Sequence, residues 1–268
     1  DLENASIKLK EAIKLNPDFM EAYTQLANIY IVNGNYEKGI ENYKIAIKID
    51  ENDYLSYYNL GVIYYKIGKN DKEAITYFTK ALEINPYHTS SLYNIGVIFS
   101  EKYLDYNNSI KYFDRALETN PDFSKALANK CHALMLLKDF DLALQNCNKA
   151  LEIDPNEYNI YKIRGSLYKK LKEYQNSIND YKKYLEKFPN NPLIYYFIAG
   201  NMEKLGIKDN AIEYYTKAIN LNPEFKQAYN SRGLLHVSMN NIIDATYDEK
   251  KACEFGECGL LELINKYN

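Results

Sequence analysis

Large apolar residues recur along the chain at spacings of three and four, which place side chains on one face of an α-helix. Leu26 and Tyr30 follow this spacing in one stretch, and Tyr43 and Ile47 follow it in the next. The turn-forming residues 33–35, with the sequence Asn-Gly-Asn, lie between the two stretches. The pattern therefore predicts pairs of helices whose apolar faces pack against each other.

The helix pair repeats about every 34 residues, and the proline positions show the period most clearly. Six of the seven prolines lie on it: Pro17, Pro86, Pro121, Pro155, Pro189 and Pro223. Proline cannot continue a helix, so we expect it to follow the end of each second helix. Seven full repeats then start at Met20, Tyr54, Thr89, Ser124, Tyr158, Pro192 and Lys226, after a half repeat over residues 1–19.

Small residues hold fixed positions in the repeat, where they let helix axes approach closely. The eighth position is Ala27, Gly61, Gly96, Cys131, Gly165, Ala199 and Gly233. With the 34-residue period and the proline, this pattern resembles the tetratricopeptide repeat (TPR) family over nearly the whole chain. The resemblance implies an all-α fold: one α-solenoid over residues 1–268, a right-handed superhelix of antiparallel helix pairs, with a capping helix at about 258–267.

Composition excludes several classes of protein. Of the 268 residues, 46% are hydrophobic and 26% charged, as in a soluble folded protein. A net charge of −3 argues against general nucleic-acid binding, and no apolar run is long enough for a membrane helix, so we expect neither partner. Three histidines and the lack of a phosphate-binding glycine loop predict a protein without catalytic activity, cofactor or metal.

The four cysteines, Cys131, Cys147, Cys253 and Cys258, have neither a metal-binding spacing nor a dense disulfide pattern. We expect buried, reduced thiols and a cytoplasmic location. The chain starts inside a repeat, which indicates a piece of a longer protein. Its far end carries the apolar residues of the expected cap, which we interpret as a natural C-terminus.

Charged residues replace apolar ones at two matched positions in two repeats. Arg164 and Arg232 stand where three other repeats have an apolar residue, and the same two repeats have Asp180 and Asp248 where those three have tyrosine. The three apolar and tyrosine pairs are Leu60 with Tyr77, Ile95 with Tyr112, and Ile198 with Tyr214. The charges occur together, so we predict partly buried ion pairs between the two helices of each hairpin.

The TPR resemblance implies that first helices line a concave groove that binds a partner. Carboxamides recur there in four successive repeats, similar to the asparagine ladder in the repeat domain of O-linked N-acetylglucosamine transferases. A carboxamide both donates and accepts hydrogen bonds, so it can pair with a peptide backbone. The candidate groove residues are Gln25, Asn28, Tyr58, Asn59, Val62, Tyr93, Asn94, Val97, Asn129, His132, Lys162, Lys169, Tyr196, Phe197 and Ser231.

Other interpretations remain open at this point. The asparagines are equally consistent with an ordinary helix surface, and the lysines with a solvated face. The pattern of lysines and asparagines that holds C-terminal carboxylates in chaperone-binding TPR domains is incomplete here. The function predicted is a non-catalytic scaffold that binds a protein or peptide segment. The alternatives are the substrate-recognition arm of a larger enzyme, such as a glycosyltransferase, and a self-associating module.

Overall fold

The computed structural model of the protein describes residues 1–68 and 70–258. These residues form fifteen α-helices and no strand. The helices are α1 (Leu2–Leu15), α2 (Met20–Val32), α3 (Tyr36–Ile49), α4 (Tyr54–Ile67), α5 (Asp71–Ile84), α6 (Thr89–Glu101), α7 (Tyr106–Thr119), α8 (Ser124–Leu136), α9 (Phe140–Ile153), α10 (Tyr158–Lys170), α11 (Tyr174–Lys187), α12 (Pro192–Lys204), α13 (Lys208–Leu221), α14 (Lys226–Ser238) and α15 (Ile242–Glu254).

The chain divides into two compact units, Asp1–Asp139 and Phe140–Asn268. Within the first unit, helices pack as the hairpins α2/α3, α4/α5 and α6/α7, and each second helix also packs on the next first helix. The second unit repeats this arrangement with α10/α11, α12/α13 and α14/α15. The all-α solenoid arrangement is therefore confirmed within each unit. The single domain over residues 1–268 stays a prediction, and the expected cap lies largely outside the described residues.

All seven predicted repeat starts coincide with the first residue of a helix, from Met20 at α2 to Lys226 at α14. The second helices end two residues before the proline position, as with α5 at Ile84 and Pro86. The residue before proline disfavours helical backbone, and Asn85 is accordingly extended there. Its side chain accepts a hydrogen bond from the backbone N–H of Tyr87 at 3.2 Å. This bond stabilises the turn that leads into the next first helix.

Small residues at the eighth repeat position allow the two helices of a hairpin to approach closely, as predicted. A Cβ atom on Gly61 would lie 2.6 Å from the ring of Phe78, and one on Gly96 would lie 2.7 Å from Phe113. Both rings are fully buried in the core. Glycine is therefore needed at these two positions because a larger side chain would overlap the aromatic ring of the facing helix.

Among the described residues, every turn that follows a first helix contains a residue with a left-handed backbone. Glycine supplies it at Gly34, Gly68 and Gly206, and the same position holds Leu104, Lys138, Lys172 and Asn240 in other hairpins. The repeats starting at Tyr54 and Thr89 each have one extra residue. The extra residue lengthens the α6–α7 turn to residues 102–105, but in the earlier repeat it lengthens α4 to 14 residues instead.

The two predicted ion pairs are present. Arg164 donates to both carboxylate oxygens of Asp180, from Nε and Nη2 at 2.8 Å each. Arg232 bonds Asp248 in the same way at 2.9 and 2.7 Å. The third guanidinium nitrogen, Nη1, donates to the preceding second helix, to Asn148 Oδ1 for Arg164 and to a threonine hydroxyl for Arg232. Each arginine therefore also joins its hairpin to the preceding second helix, which the sequence pattern did not predict.

The cysteine prediction is wrong. Cys253 and Cys258 form a disulfide, and the described residues contain no free thiol. The two cysteines flank the end of α15, where the chain turns back and brings the sulfur atoms together. The cytoplasmic location loses this support and stays a prediction.

Candidate functional site

The first helices of the first unit form a row, which we call the first-helix row: α2, α4, α6 and α8. Two hydrogen bonds between its members show that successive first helices are neighbours. Tyr65 of α4 donates its hydroxyl proton to Glu101 of α6 at 2.7 Å. Asn129 of α8 donates through Nδ2 to the hydroxyl oxygen of Tyr93 on α6 at 3.0 Å. The candidate residues of α4, α6 and α8 are therefore placed on adjacent helices.

The carboxamides of this row differ in how they are used. Asn59 and Asn94 are half-buried, and among the described residues no hydrogen-bond partner engages their amides. Asn28, by contrast, accepts from Tyr43 of α3, and Asn129 is held by Tyr93. The two middle amides keep both donor and acceptor capacity, whereas the outer two are partly committed to the fold.

The aromatic candidates are anchored in the core on one side. The ring of Tyr58 lies 5.8 Å from that of Phe78 and 4.8 Å from that of His88. Tyr93 lies 4.9 Å from Phe123 in the same manner. Burial lowers the pKa of His88, so this ring is neutral at physiological pH. Contacts of this kind fix the rings in place and leave half-exposed edges along the row.

A cavity of about 270 Å³ opens in the row between α6, α8 and the α6–α7 turn. It contains three predicted candidates: Val97, Asn129 and His132. Its other lining residues, which the candidate set lacked, are Ser100, Glu101, Leu104, Tyr106 and Leu136. Glu101 occupies the thirteenth repeat position, which the TPR resemblance places on the inner side, so its position alone could have identified it.

The second unit has a different surface on its first helices α10, α12 and α14. Lys169 of α10 lies over the ring of Phe197 on α12, with Nζ 4.4 Å from the ring centroid. Desolvation beside the ring, and then the charge of Lys170, lower the pKa of Lys169. The hydroxyl groups of Tyr196 and Ser231 meet at 3.4 Å between α12 and α14.

Lys162 is the remaining candidate of the second unit, and its ammonium lies 5.6 Å from the ring centroid of Tyr184 on α11. In both lysines the cation is placed against an aromatic face, which stabilises a charge that is partly removed from water. The candidate residues of the second unit therefore include two lysines held against aromatic rings, whereas those of the first-helix row are mainly amides and aromatic or apolar side chains.

The remaining candidates, Gln25 on α2 and Val62 on α4, complete the first-helix row, with Gln25 exposed and Val62 half-buried. A larger cavity, of about 560 Å³, lies near the α2–α3 turn between Asn33 and Tyr64. It contains none of the candidate residues and lies at the hairpin turns. The described residues contain no group of three potential metal ligands.

Comparison with known proteins agrees with this architecture. Tetratricopeptide repeat profiles match residues 8–41, 54–88, 124–157, 158–191 and 193–225, and a TPR repeat profile matches residues 27–68. The chain belongs to the tetratricopeptide repeat family. An Est1 DNA/RNA binding domain profile also matches this TPR protein, at residues 211–248.

Among curated proteins, Protein bimA of Emericella nidulans is 32% identical to the TPR chain over 66 residues, which are 25% of this chain and 8% of that protein. A tetratricopeptide repeat protein from Parabacteroides merdae has a similar fold, with a TM-score of 0.65 and 21% identity, covering 92% of this chain and 96% of that chain.

Two other solved structures share the fold. PilW, a type IV pilus biogenesis factor, has a TM-score of 0.66 and 23% identity over 78% of this chain and 96% of its own. YrrB, a TPR protein with an unusual peptide-binding site, has a TM-score of 0.62 and 18% identity over 71% of this chain and 98% of its own. In the described part of this TPR protein, no helix has the length and apolar character needed to cross a membrane.

Proposed function

We propose that this TPR protein is a non-catalytic scaffold whose first-helix row binds an extended segment of a partner protein. The observation that carries the proposal is the pair Asn59 and Asn94. Both amides are half-buried on adjacent helices and have no hydrogen-bond partner in the described residues. A polar group that is partly shielded from water yet unpaired is suited to bind an incoming donor and acceptor.

The spacing of the row fits an extended chain. Packed helices lie roughly 8–10 Å apart, and an extended peptide advances about 3.3–3.6 Å per residue. Successive asparagines on neighbouring first helices would therefore meet the peptide backbone at about every third residue. Because the bonds are to the backbone, they give affinity without selecting a side chain. Selection among peptide sequences then depends on the side chains of the row that lie between the asparagines.

The second unit contributes a separate surface for the same class of partner. Lys162 and Lys169, each lying against an aromatic ring, would favour an acidic stretch of the bound protein. The solved structure of YrrB, described as having an unusual peptide-binding site, supports peptide binding as a use of this fold. That likeness is one of fold alone, so the residues that bind must be tested here.

The alternatives from the sequence stay predictions: an arm of a larger enzyme, self-association, and the absence of a nucleic-acid partner. The Est1 DNA/RNA binding profile lies in the second unit and does not include the first-helix row. Binding of a random single-stranded RNA to the protein would be the direct test of that likeness.

The proposal is tested with peptides selected on the protein from a phage-displayed library of random 12-residue sequences. We expect the N59A/N94A/N129A variant to bind the selected peptides at least 100-fold more weakly, since each lost amide pair contributes about 1 kcal/mol. Asn107→Ala, an exposed asparagine on α7, is the matched control. Unchanged affinity in the triple variant, with unchanged helicity, would place the binding site elsewhere.

A further inference from the structure

The cavity of the first-helix row has mixed chemistry that the amide ladder does not explain. Its lining includes the apolar side chains Val97, Leu104 and Leu136 and the acidic side chain Glu101. Its volume of about 270 Å³ is just below the usual range for small-molecule sites, roughly 300–1,000 Å³. The cavity therefore has the dimensions for one long side chain of a bound protein.

The carboxylate of Glu101 is held in place. Tyr65 donates to Oε2 at 2.7 Å, which orients the group and leaves Oε1 open for another donor. Burial, followed by this hydrogen bond, raises the pKa of Tyr65, so the hydroxyl keeps its proton at physiological pH. A negative charge with one oxygen fixed and one open is an acceptor for a cationic donor.

Part of the apolar lining comes from an unusual turn. The turn between α6 and α7 is one residue longer than the turns that follow the other first helices of the first unit. Leu104 lies in this turn with a left-handed backbone, at φ 52°. A left-handed backbone is costly for a residue with a Cβ atom, by about 1–2 kcal/mol, and the equivalent position is glycine in the two preceding hairpins. Leu104 is also 64% exposed, so burial in the core does not explain it.

From these three observations we propose that the cavity is a specificity pocket for a lysine or arginine side chain of the bound segment. The aliphatic stem would lie along Val97, Leu104 and Leu136, and the charged end would reach Glu101 Oε1. Long basic side chains bury their stems on apolar surfaces while the charge stays at a polar edge. Asn129, which lines the same cavity, would bond the backbone of the bound segment next to that basic residue.

The inference rests on the proposed function but has its own test. Peptides selected on the wild-type protein from the random library should share a lysine or arginine at one position. Replacing that residue by norleucine, which keeps the stem and removes the charge, should weaken binding about tenfold or more. Glu101→Gln keeps the acceptor for Tyr65 and removes the charge, so it should abolish the difference between the two peptides.

Two further variants separate the pocket from the fold. Leu104→Gly removes the wall and relieves the left-handed strain, so it should weaken binding of the basic peptide while stability stays the same or rises. Lys138→Gly makes the same backbone change in the turn that follows α8, outside the cavity, and should leave affinity unchanged. Glu83→Gln, an exposed acid on α5, is the control for loss of charge.

The outcomes distinguish the two proposals. If the selected peptides carry no shared basic residue, carry an acidic one, or lose the same affinity in Glu83→Gln as in Glu101→Gln, the specificity pocket is rejected. In that case the proposal that the first-helix row binds a peptide backbone is still supported if the N59A/N94A/N129A variant fails to bind. If that variant binds normally while Glu101→Gln abolishes the basic preference, the pocket stands and the amide ladder is rejected.

Discussion

At the scale of single residues, the ion pairs show what a sequence can and cannot predict. Arginine and aspartate replace apolar partners together in two repeats, and this covariation within one chain predicts contact. The third bond of each arginine, to Asn148 or Thr216, was not predictable in the same way. A single Nη1–acceptor contact between hairpins depends on the angle between them, which a linear pattern does not contain.

Removal of one partner from the Arg164–Asp180 pair should destabilise the protein more than replacement of both. Arg164→Ala leaves a carboxylate that is only 8% exposed, at a cost of about 3 kcal/mol. The double variant R164I/D180Y copies the apolar pairing of other repeats, such as Ile198 with Tyr214 in the core of the second unit, and should cost about 1 kcal/mol or less.

Urea denaturation followed by circular dichroism measures these changes. Lys183→Ala removes the exposed ion pair with Glu186 and should have little effect. If the single and double variants lost equal stability, the buried charge would not be the cause.

At the scale of helices, the repeat boundaries were predictable because proline and small residues have strict local effects. A helix begins at each of the seven predicted repeat starts, and the second helices end where the backbone before proline becomes extended. The position of an extra residue in a repeat was harder to predict, because either a helix or a turn can be lengthened by one residue. In α4 the insertion adds to the helix, whereas after α6 it enlarges the turn and builds a cavity wall.

Two glycine substitutions test how closely the helices of a hairpin pack. An alanine at Gly96 would place Cβ 2.7 Å from the buried ring of Phe113, so Gly96→Ala should destabilise by about 1–3 kcal/mol. Gly200→Ala meets only the hydroxyl of Tyr215 at 3.7 Å and should be neutral or stabilising, by up to about 1 kcal/mol of helix propensity.

Thermal and urea unfolding of both variants provide the measurement for this pair. Equal effects at the two positions would show that the glycines are not set by close approach.

At the scale of the whole molecule, buried tyrosines in both units predict loss of stability in alkali. Burial, with a smaller effect of Asp53, raises the pKa of Tyr43 to about 12, and burial raises the pKa of Tyr181 in the second unit. The folded protein therefore keeps these protons above pH 10, where the unfolded chain releases them. Stability is full below about pH 10 and falls as the pH rises towards 12.

The urea midpoint should accordingly drop between pH 9 and pH 11. Tyr43→Phe should remove part of that drop, up to about 1.4 kcal/mol at pH 11, which is one unit above the pKa of an unfolded tyrosine. Tyr87→Phe, which changes a ring that is 77% exposed, should not. An identical drop in all three proteins would assign the alkaline sensitivity to other groups.

The candidate site was only partly predictable from the sequence. Repeat positions identify which residues lie on first helices, and those that line the cavity include Val97, Asn129 and His132. Repeat positions do not show which amides already have a hydrogen-bond partner. Asn129, for example, bonds the hydroxyl of Tyr93, which lies 36 residues away in the sequence. The cavity itself depends on the enlarged turn and on the backbone of Leu104, which only the three-dimensional structure shows.

The central claim is that an extended segment lies along the first-helix row with its backbone bonded to Asn59 and Asn94. A crystal structure of the protein with a library-selected 12-residue peptide tests it most directly. We expect the amide nitrogens or oxygens of both asparagines within about 3.2 Å of peptide backbone atoms. A peptide bound at the hairpin turns or on the second helices, with both asparagines facing water, would contradict the claim.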